Sequence, residues 1–190
     1  MKARLLALLL VLTACGGTPE PPPPSPSPSA PPCPEGGVEF GTVGGEAAMG
    51  LRVLTLEMRN CGTGEYRVSG YPDLRLLDED GTPLDVVVEH GSTGVSRIES
   101  FEQPPTELVL APGDHATAGI VWRNTYHDTT NPPQVGARID IAPLEGRPRQ
   151  TFTPRLGTDG GPPQSSSPAT TIDLGSTGRI GVSPWQPPRN

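Results

Sequence analysis

The feature that most limits the folds open to this chain is the way its apolar residues are spaced between turn-forming residues. Short stretches of alternating apolar and polar residues are separated by turns, and the sequence contains 24 glycines and 26 prolines. Alternation with period two places successive side chains on opposite faces of a strand, and glycine and proline end such strands. The pattern therefore predicts an all-β fold.

The segment 50–60 is the clearest predicted strand. Its residues Leu54, Leu56 and Met58 fall on one face, with polar residues between them. Leu51, Leu54 and Met58 would also satisfy the spacing of a helix. Glycine-containing turns on both sides of the segment favour the strand.

Further alternating stretches predict more strands and fix which residues face the core. They lie at 73–77, 84–89, 107–110, 116–123, 138–141, 151–152, 170–174 and 179–183, with loops at 124–136 and 157–168. The residues expected to point inward are Leu74, Leu76, Ala116, Ala118, Ile120, Trp122, Ile139 and Ile141. The acidic turn at 78–81 predicts a hairpin into 84–89. Seven to nine short strands predict an immunoglobulin-like antiparallel β-sandwich.

The N-terminus carries an export signal. Lys2 and Arg4 precede an apolar run at 5–12, which is the pattern of a secretory signal and is too short to span a bilayer. The following Leu-Thr-Ala-Cys sequence resembles the lipobox of bacterial lipoproteins. The resemblance implies cleavage before Cys15, lipidation of Cys15, and a protein anchored to the cell membrane on its extracytoplasmic side. The alternative is an ordinary secreted protein in which Cys15 has no role.

A proline-rich stretch follows the anchor. Prolines have a fixed φ and no amide donor, so the stretch from Thr18 to Pro34 predicts an extended spacer of up to roughly 50 Å. Such tracts can also bind proline-recognising modules. The predicted organisation is a signal peptide at 1–14, a lipidated N-terminus and disordered stalk at 15–34, and one β-sandwich domain at 35–190.

The charge balance limits the partners. The formal net charge is −7, and Lys2 is the only lysine. Cleavage of the signal peptide would leave a mature protein with no lysine. Neither a P-loop lysine nor a lysine nucleophile is therefore expected. An acidic chain with scattered arginines also argues against a nucleic-acid partner. The expected partners are the membrane, through the lipid on Cys15, and a cell-wall polymer or an envelope protein.

Two cysteines remain after the anchor. Cys33 and Cys61 would lie in an oxidising compartment, where a disulfide is the default expectation. A metal or redox pair is the alternative, although the sequence has no CxxC spacing and no histidine lies near either cysteine.

Several short motifs at turns and strand ends recur in the order found in one known family. The motifs are Ala48-Met49-Gly50-Leu51-Arg52, Asn60-Cys61-Gly62-Thr63, Gly70-Tyr71-Pro72, Leu77-Asp78-Glu79-Asp80-Gly81, Ala111-Pro112-Gly113, Trp122-Arg123-Asn124, and a tail from Gly178-Arg179-Ile180 to Ser183-Pro184-Trp185. On these motifs the chain resembles the family called domain of unknown function 4232, found in secreted and lipid-anchored proteins of actinobacteria. The resemblance covers most of residues 33–185. It implies an extracytoplasmic β-sandwich and supplies no catalytic residues.

The candidate chemical groups do not form a recognised catalytic or metal-binding motif. The acidic turn at 78–81 lacks the alternating ligands of a calcium loop. His90, His115 and His127 are too far apart for a metal motif, so only folding could bring them together to bind copper or zinc. Met49 and Met58 are possible soft ligands, although Met58 has the phase of a core residue. No GxSxG, GxGxxG or Walker sequence is present, so we expect neither an enzyme nor a cofactor.

The densest polar and aromatic patch follows Trp122. Arg123, Asn124, Tyr126 and His127 are predicted to form a binding surface at a strand end, where sandwich folds present their loops. An ordinary strand-to-loop transition is the alternative. The expected function is a membrane-anchored lipoprotein with a non-catalytic domain for binding or envelope structure. The alternative is a metal carrier or enzyme with a loop site around His90, His115 and His127.

Overall fold

The computed structural model describes residues 32–188 except 129 and 131. The predicted signal peptide, the lipidation site Cys15 and the proline-rich stretch up to residue 31 lie outside the described residues. Within the described part of the chain, no helix is long and apolar enough to cross a membrane.

The described residues form twelve strands and one short 3₁₀ turn at Glu99–Phe101. The strands are β1 Val38–Ala48, β2 Leu51–Asn60, β3 Tyr66–Val68, β4 Asp73–Leu77, β5 Val87–His90, β6 Leu108–Leu110, β7 His115–Arg123, β8 Val135–Gly136, β9 Arg138–Ala142, β10 Gln150–Phe152, β11 Ile172–Asp173 and β12 Arg179–Val182. The all-β prediction is confirmed, with more and shorter strands than the alternation indicated.

Two sheets carry the fold. The larger has the order β1-β2-β7-β12-β5 and the smaller has the order β10-β9-β4; β11-β8 and β3-β6 are short pairs. In the larger sheet Leu54 lies opposite Ile120, and Ile120 lies opposite Val182. In the smaller sheet Leu76 lies opposite Ile139. These residues belong to one buried cluster shared by both sheets, as expected of a β-sandwich.

The strand after the acidic turn pairs differently from the prediction. The turn itself forms, since the Asp78 N–H donates to Thr82 O at 3.0 Å and Leu77 bridges Pro83. The chain then leaves the smaller sheet, and β5 pairs in parallel with β12 at the edge of the larger one. The hairpin is therefore very short and the sandwich is not wholly antiparallel. Local alternation carries no information about which distant strand becomes a neighbour.

Three strands were not predicted from the sequence: the longest strand β1, the short strand β3, and β8, which lies at the end of the predicted loop 124–136. In β1 the alternation of apolar side chains is broken by glycines, since its eleven residues include Gly41, Gly44 and Gly45. A bulge between Thr42 and Gly44 interrupts its register with β2. A Cβ at Gly45 would lie 2.7 Å from Leu156 Cδ1, so the glycine there permits a close approach between layers.

The core is centred on Trp185, whose side chain is 1% exposed. Its indole Nε1 donates to Pro143 O at 2.7 Å, and the Phe40 ring stacks on it with centroids 6.2 Å apart. All the residues predicted to point inward are buried: Leu54, Leu56, Met58, Leu74, Leu76, Ala116, Ala118, Ile120, Trp122, Ile139 and Ile141.

Residues 91–103 cover part of the opposite face of the larger sheet, over β7 and β12. Phe101 packs against Gly119, where a Cβ would overlap the Phe101 ring. The Ser92 backbone N–H and hydroxyl donate to Glu102 Oε1 at 2.8 and 2.9 Å, and the backbone hydrogen bond is the main cause of the lowered pKa of Glu102. The central part of this sheet is therefore packed on both faces.

The Cys33–Cys61 disulfide is present, with the two Cα atoms 5.5 Å apart. It joins Cys33, in the segment that leads into β1, to Cys61, the residue following β2, and the Cys61 N–H also donates to Gly37 O at 3.1 Å. The prediction of a disulfide is confirmed. The two cysteines are bonded to each other, so the alternative of a metal-binding or redox pair does not describe this structure.

Replacing both cysteines with serine is expected to lower the free energy of unfolding by about 3 kcal/mol. The bridge closes a loop with a sequence separation of 28, and losing it restores chain entropy to the unfolded state. Denaturant titration of the variant and of reduced wild-type protein measures the loss, and the two should agree. An unchanged midpoint in both would contradict the prediction.

Candidate functional site

A cavity of about 280 Å³ opens at one end of the sandwich. One wall comes from the β1–β2 hairpin and the end of β7, and the other from residues 156–173. The lining residues include Gly45, Ala47, Arg52, Leu54, Trp122, Asn124, Leu156, Gly160, Thr170, Thr171 and Asp173. It is a concave site with both apolar and polar lining, the usual form of a small-molecule site.

Strand alternation decides which side chains face the cavity. Arg52 lies opposite Trp122 in the register of β2 and β7, and both share the face of the core residue Leu54. Glu46 and Val53 lie opposite each other on the other face, so they contribute to the margin of the cavity. The floor is apolar because Leu54 and Trp122 are 1% and 6% exposed.

Asp173 on β11 and its hydrogen-bond partner Asn124 form the polar wall of the cavity, and Tyr126 donates to the same carboxylate. The Oδ2 atom of Asp173 accepts from Asn124 Nδ2 and from the Tyr126 hydroxyl, each at 2.7 Å. Its Oδ1 accepts from the Gly175 N–H at 2.9 Å, and its backbone oxygen accepts from Trp122 Nε1, also at 2.9 Å. The end of β7 is thereby tied to β11, with the apolar floor and the polar wall held together.

The charge state of Asp173 follows from these bonds. Burial favours the neutral acid, but the hydrogen bonds from Gly175, Tyr126 and Asn124 outweigh it and lower the pKa of the Asp173 carboxyl. The hydrogen bond from the Tyr126 hydroxyl to Asp173 is also the main cause of the raised pKa of Tyr126, because the phenol donates to a carboxylate. Asp173 is therefore an ionised acceptor, and Tyr126 is a neutral donor.

The Tyr126–Asp173 hydrogen bond should stabilise the fold only in a middle range of pH. Asp173 has a folded pKa below its ordinary 3.8, so its contribution is present above that value and is lost as pH falls through the folded pKa. Tyr126 has a folded pKa above its ordinary 10.0, so its contribution is lost as pH rises through the folded pKa. Tyr126→Phe should therefore be less stable than wild type near neutrality and converge with it at both extremes.

Denaturant midpoints of Tyr126→Phe and wild type, measured against pH, check this expectation. Tyr71→Phe is the control, because the Tyr71 ring stacks on His90 and has no hydrogen bond to a carboxylate among the described residues. A difference between Tyr126→Phe and wild type that stays constant from acid to alkali would contradict the prediction.

The predicted binding surface is divided by the structure. Asn124 and Tyr126 converge on Asp173. Arg123 lies on the opposite face, where its Nε donates to Val95 O at 3.3 Å, because β7 alternates sides after Trp122. The exposed His127 is held through its backbone N–H, which donates to Ser176 Oγ at 3.0 Å. The four residues therefore do not form one surface, and their role in binding stays a prediction.

Arg52 and Asp173 were not predicted from the sequence as residues of the site. Arg52 carried a signal, since a charged residue in phase with Leu54, Leu56 and Met58 is unusual for a core face. Asp173 carried none, because its importance comes from contacts with residues 47 to 51 positions earlier. Thr170 and Thr171 lay in a segment predicted as a strand, with no functional role assigned to them.

The three histidines are not brought together. His115 starts β7 and His127 follows its other end, so the length of a nine-residue strand separates them. His90 lies on the edge strand β5, and its ring stacks on Tyr71 at 4.0 Å. Among the described residues, no group of three or more His, Cys, Asp or Glu side chains could hold a metal ion.

The two methionines considered as soft ligands lie apart as well. Met58 is buried in the core, as its phase indicated. Met49 is 97% exposed at the tip of the β1–β2 hairpin, where its φ of 46° makes it the one non-glycine residue with positive φ in the described chain.

The architecture and the site together define an all-β sandwich domain with a cavity between its layers at one end. A family model described as Domain of unknown function (DUF4232) matches residues 33–186, and the chain belongs to this family. Searches of curated proteins and of solved structures found no match.

Proposed function

We propose that this protein is a membrane-anchored extracytoplasmic lipoprotein whose non-catalytic domain binds a small envelope ligand, or the end of an envelope polymer, in the cavity beside Trp122. The observation that carries the binding function is the cavity itself, which combines an apolar floor with a polar wall. The anchor rests on the lipobox-like sequence ending at Cys15.

The position of the cavity suits a tethered receptor. The chain enters the domain at Cys33, beside the start of β1, whereas Gly45 and Ala47 line the cavity near the end of that strand. Eleven strand residues extend about 35 Å. The point at which a tether would join the domain therefore lies at the other end of β1 from the cavity.

The polar groups of the cavity suit binding better than catalysis. Of the two acids in its lining, Glu46 lies at the margin, and both carboxylate oxygens of Asp173 already accept structural hydrogen bonds. A general base must be free to take a proton from the substrate, and a lowered pKa makes a carboxylate a weaker base. The group is better suited to holding the wall in place.

Crosslinking from the cavity rim tests the binding function. A photoreactive residue at the exposed rim position Thr171 should capture an envelope component in intact cells, whereas one at the exposed Thr153, outside the cavity lining, should not. Ala47→Trp should abolish the capture by filling the mouth of the cavity. Ala48→Trp is the matched control, because Ala48 is exposed on the same strand but does not line the cavity. Equal capture from both positions, or capture that survives Ala47→Trp, would contradict the proposal.

The anchor is tested separately with radiolabelled palmitate. We expect the wild-type protein to incorporate the label and to fractionate with membranes, and we expect Cys15→Ala to lose both properties. Label retained by Cys15→Ala would overturn the assignment of the anchor to this residue.

A further inference from the structure

The cavity contains one cation whose partners among the described residues leave most of its donors available. Arg52 lines the cavity, and its NH1 donates to the neighbouring Leu51 O at 3.2 Å. Four other described arginines, Arg59, Arg67, Arg149 and Arg179, form ion pairs with carboxylates within 4.0 Å. Arg52, like the remaining described arginines, forms no ion pair with a described residue, but it is the arginine that lines the cavity. A planar guanidinium presents five N–H donors in a fork that matches a carboxylate.

The nearby acids do not take up these donors. The charge of Asp173 acts on Arg52, but its oxygens are occupied by Asn124, Tyr126 and Gly175. Glu46 alternates onto the opposite face of β1. An anionic group entering the cavity would therefore meet Arg52 as a donor that has no competing carboxylate in contact.

The rest of the lining limits the size and character of that ligand. Leu54, Trp122 and Leu156 offer apolar surface, and Thr170 and Thr171 offer hydroxyl groups. A volume of about 280 Å³ lies just below the usual range of about 300–1,000 Å³ for drug-sized ligands, so the cavity suits a single ring. A sugar ring combines an apolar face with hydroxyl groups.

We propose that the cavity binds a uronic acid unit, with the ligand carboxylate on the Arg52 guanidinium and the sugar ring beside Trp122. This inference rests on the proposed function, because it names the ligand class of the same cavity. The unit can be a free sugar acid or the end of a polymer, since both present the same carboxylate and ring. A bidentate Arg–carboxylate contact gives the specificity for the acid over the neutral sugar.

The test uses the purified full-length protein in detergent, titrated with galacturonate, trigalacturonate and the neutral sugar galactose. Binding is followed by calorimetry and by tryptophan fluorescence. The chain has two tryptophans, and Trp122 lines the cavity whereas Trp185 does not, so the fluorescence change should report Trp122. We expect galacturonate to bind at least about tenfold more tightly than galactose, as the loss of a charge-assisted hydrogen bond implies. Tighter binding of trigalacturonate would identify a polymer end, and equal binding would identify the free sugar acid.

Variants of Arg52 separate charge from geometry. Arg52→Gln should remove the preference for galacturonate, and Arg52→Lys should retain only part of it, because an ammonium group cannot make the bidentate contact. Arg59→Gln is the matched control, because Arg59 lies on the same strand but on the other face, paired with Glu39. The comparison of galacturonate with galactose on wild-type protein needs no variant, so it decides the matter even where Arg52→Gln fails to fold.

The failures of the two proposals are distinguishable. Equal affinity for galactose and galacturonate, a preference unchanged in Arg52→Gln, or no binding of any of the three sugars would each overturn the uronic acid assignment. The cavity function would still stand if the photoreactive residue at Thr171 captured a component that Ala47→Trp abolished. Loss of that capture as well would overturn both.

Discussion

Replacing Trp185 with alanine is expected to lower the free energy of unfolding by about 3–5 kcal/mol, the usual cost of removing a large aromatic side chain from a core. The side chain is 1% exposed and contacts Phe40 in a stacked arrangement. Alanine would leave a cavity that neighbouring residues fill only in part. It would also leave the buried Pro143 oxygen without the hydrogen bond from the indole Nε1, at 2.7 Å.

Two further variants serve as comparisons for the stability lost in Trp185→Ala. Trp185→Phe keeps an aromatic ring but removes the donor to Pro143, so its stability should lie between those of wild type and the alanine variant. Val109→Ala truncates a residue that is 44% exposed and should cost much less. Denaturant unfolding followed by circular dichroism measures all three. A Trp185→Ala variant no less stable than Val109→Ala would show that Trp185 is not central to the core.

Replacing Gly175 with alanine is expected to cost about 4 kcal/mol, from two separate causes. Gly175 has a φ of 55°, which costs an L-residue roughly 1 kcal/mol. Its Cβ would also overlap the carbonyl oxygen of Thr125 and lie 2.7 Å from the carbonyl carbon. A side chain could relieve this overlap by changing its rotamer, but a backbone carbonyl cannot. The chain around the bridge between Thr125 and Gly175 must therefore shift, at a cost of roughly 3 kcal/mol.

Gly178→Ala is the matched control for this expectation. Gly178 has the same φ of 55°, but the nearest atom to its Cβ would be Asp85 O at an ordinary 3.8 Å. It should therefore lose only the backbone term, about 1 kcal/mol. Denaturant midpoints of the two variants give the difference directly, and similar losses would contradict the role assigned to the Thr125 contact.

The Gly175→Ala change should also disturb the cavity. The Gly175 N–H donates to Asp173, and the bridge between Thr125 and Gly175 holds the end of β7 beside β11. Any shift of Gly175 therefore moves a donor that fixes the polar wall. Gly178→Ala should leave the ligand binding proposed for this cavity unchanged, and Gly175→Ala should weaken it.

The strands at 51–60, 73–77, 115–123 and 138–142 were predictable because their alternation is local. A single strand with one buried face repeats every two residues, so Leu54, Ile120 and Ile139 disclose their burial without reference to any partner. β1 was not predictable in this way. Its glycines suit a close approach to Leu156, a residue more than a hundred positions away.

The candidate site was predictable in part for the same reason. Asn124 and Tyr126 follow a strong strand, and strand ends collect polar residues whose place near an end of the sandwich follows from the strand itself. Arg123 was grouped with them because the prediction did not follow the alternation past Trp122. A site around the three histidines stayed a hypothesis, because the separation of residues along the chain does not show which strand ends lie close together.

The sequence by itself determined that this chain is all-β and which residues of its regular strands are buried, and it favoured the disulfide between Cys33 and Cys61 that the structure contains. Only the tertiary structure decided that β5 joins β12 in parallel, that Asp173 gathers Asn124 and Tyr126, and that Arg52 faces a cavity beside Trp122. The physical reason is range. Alternation and turn chemistry act between neighbours in the chain, whereas strand pairing and the cavity depend on backbone hydrogen bonds and packing between residues brought together from distant segments.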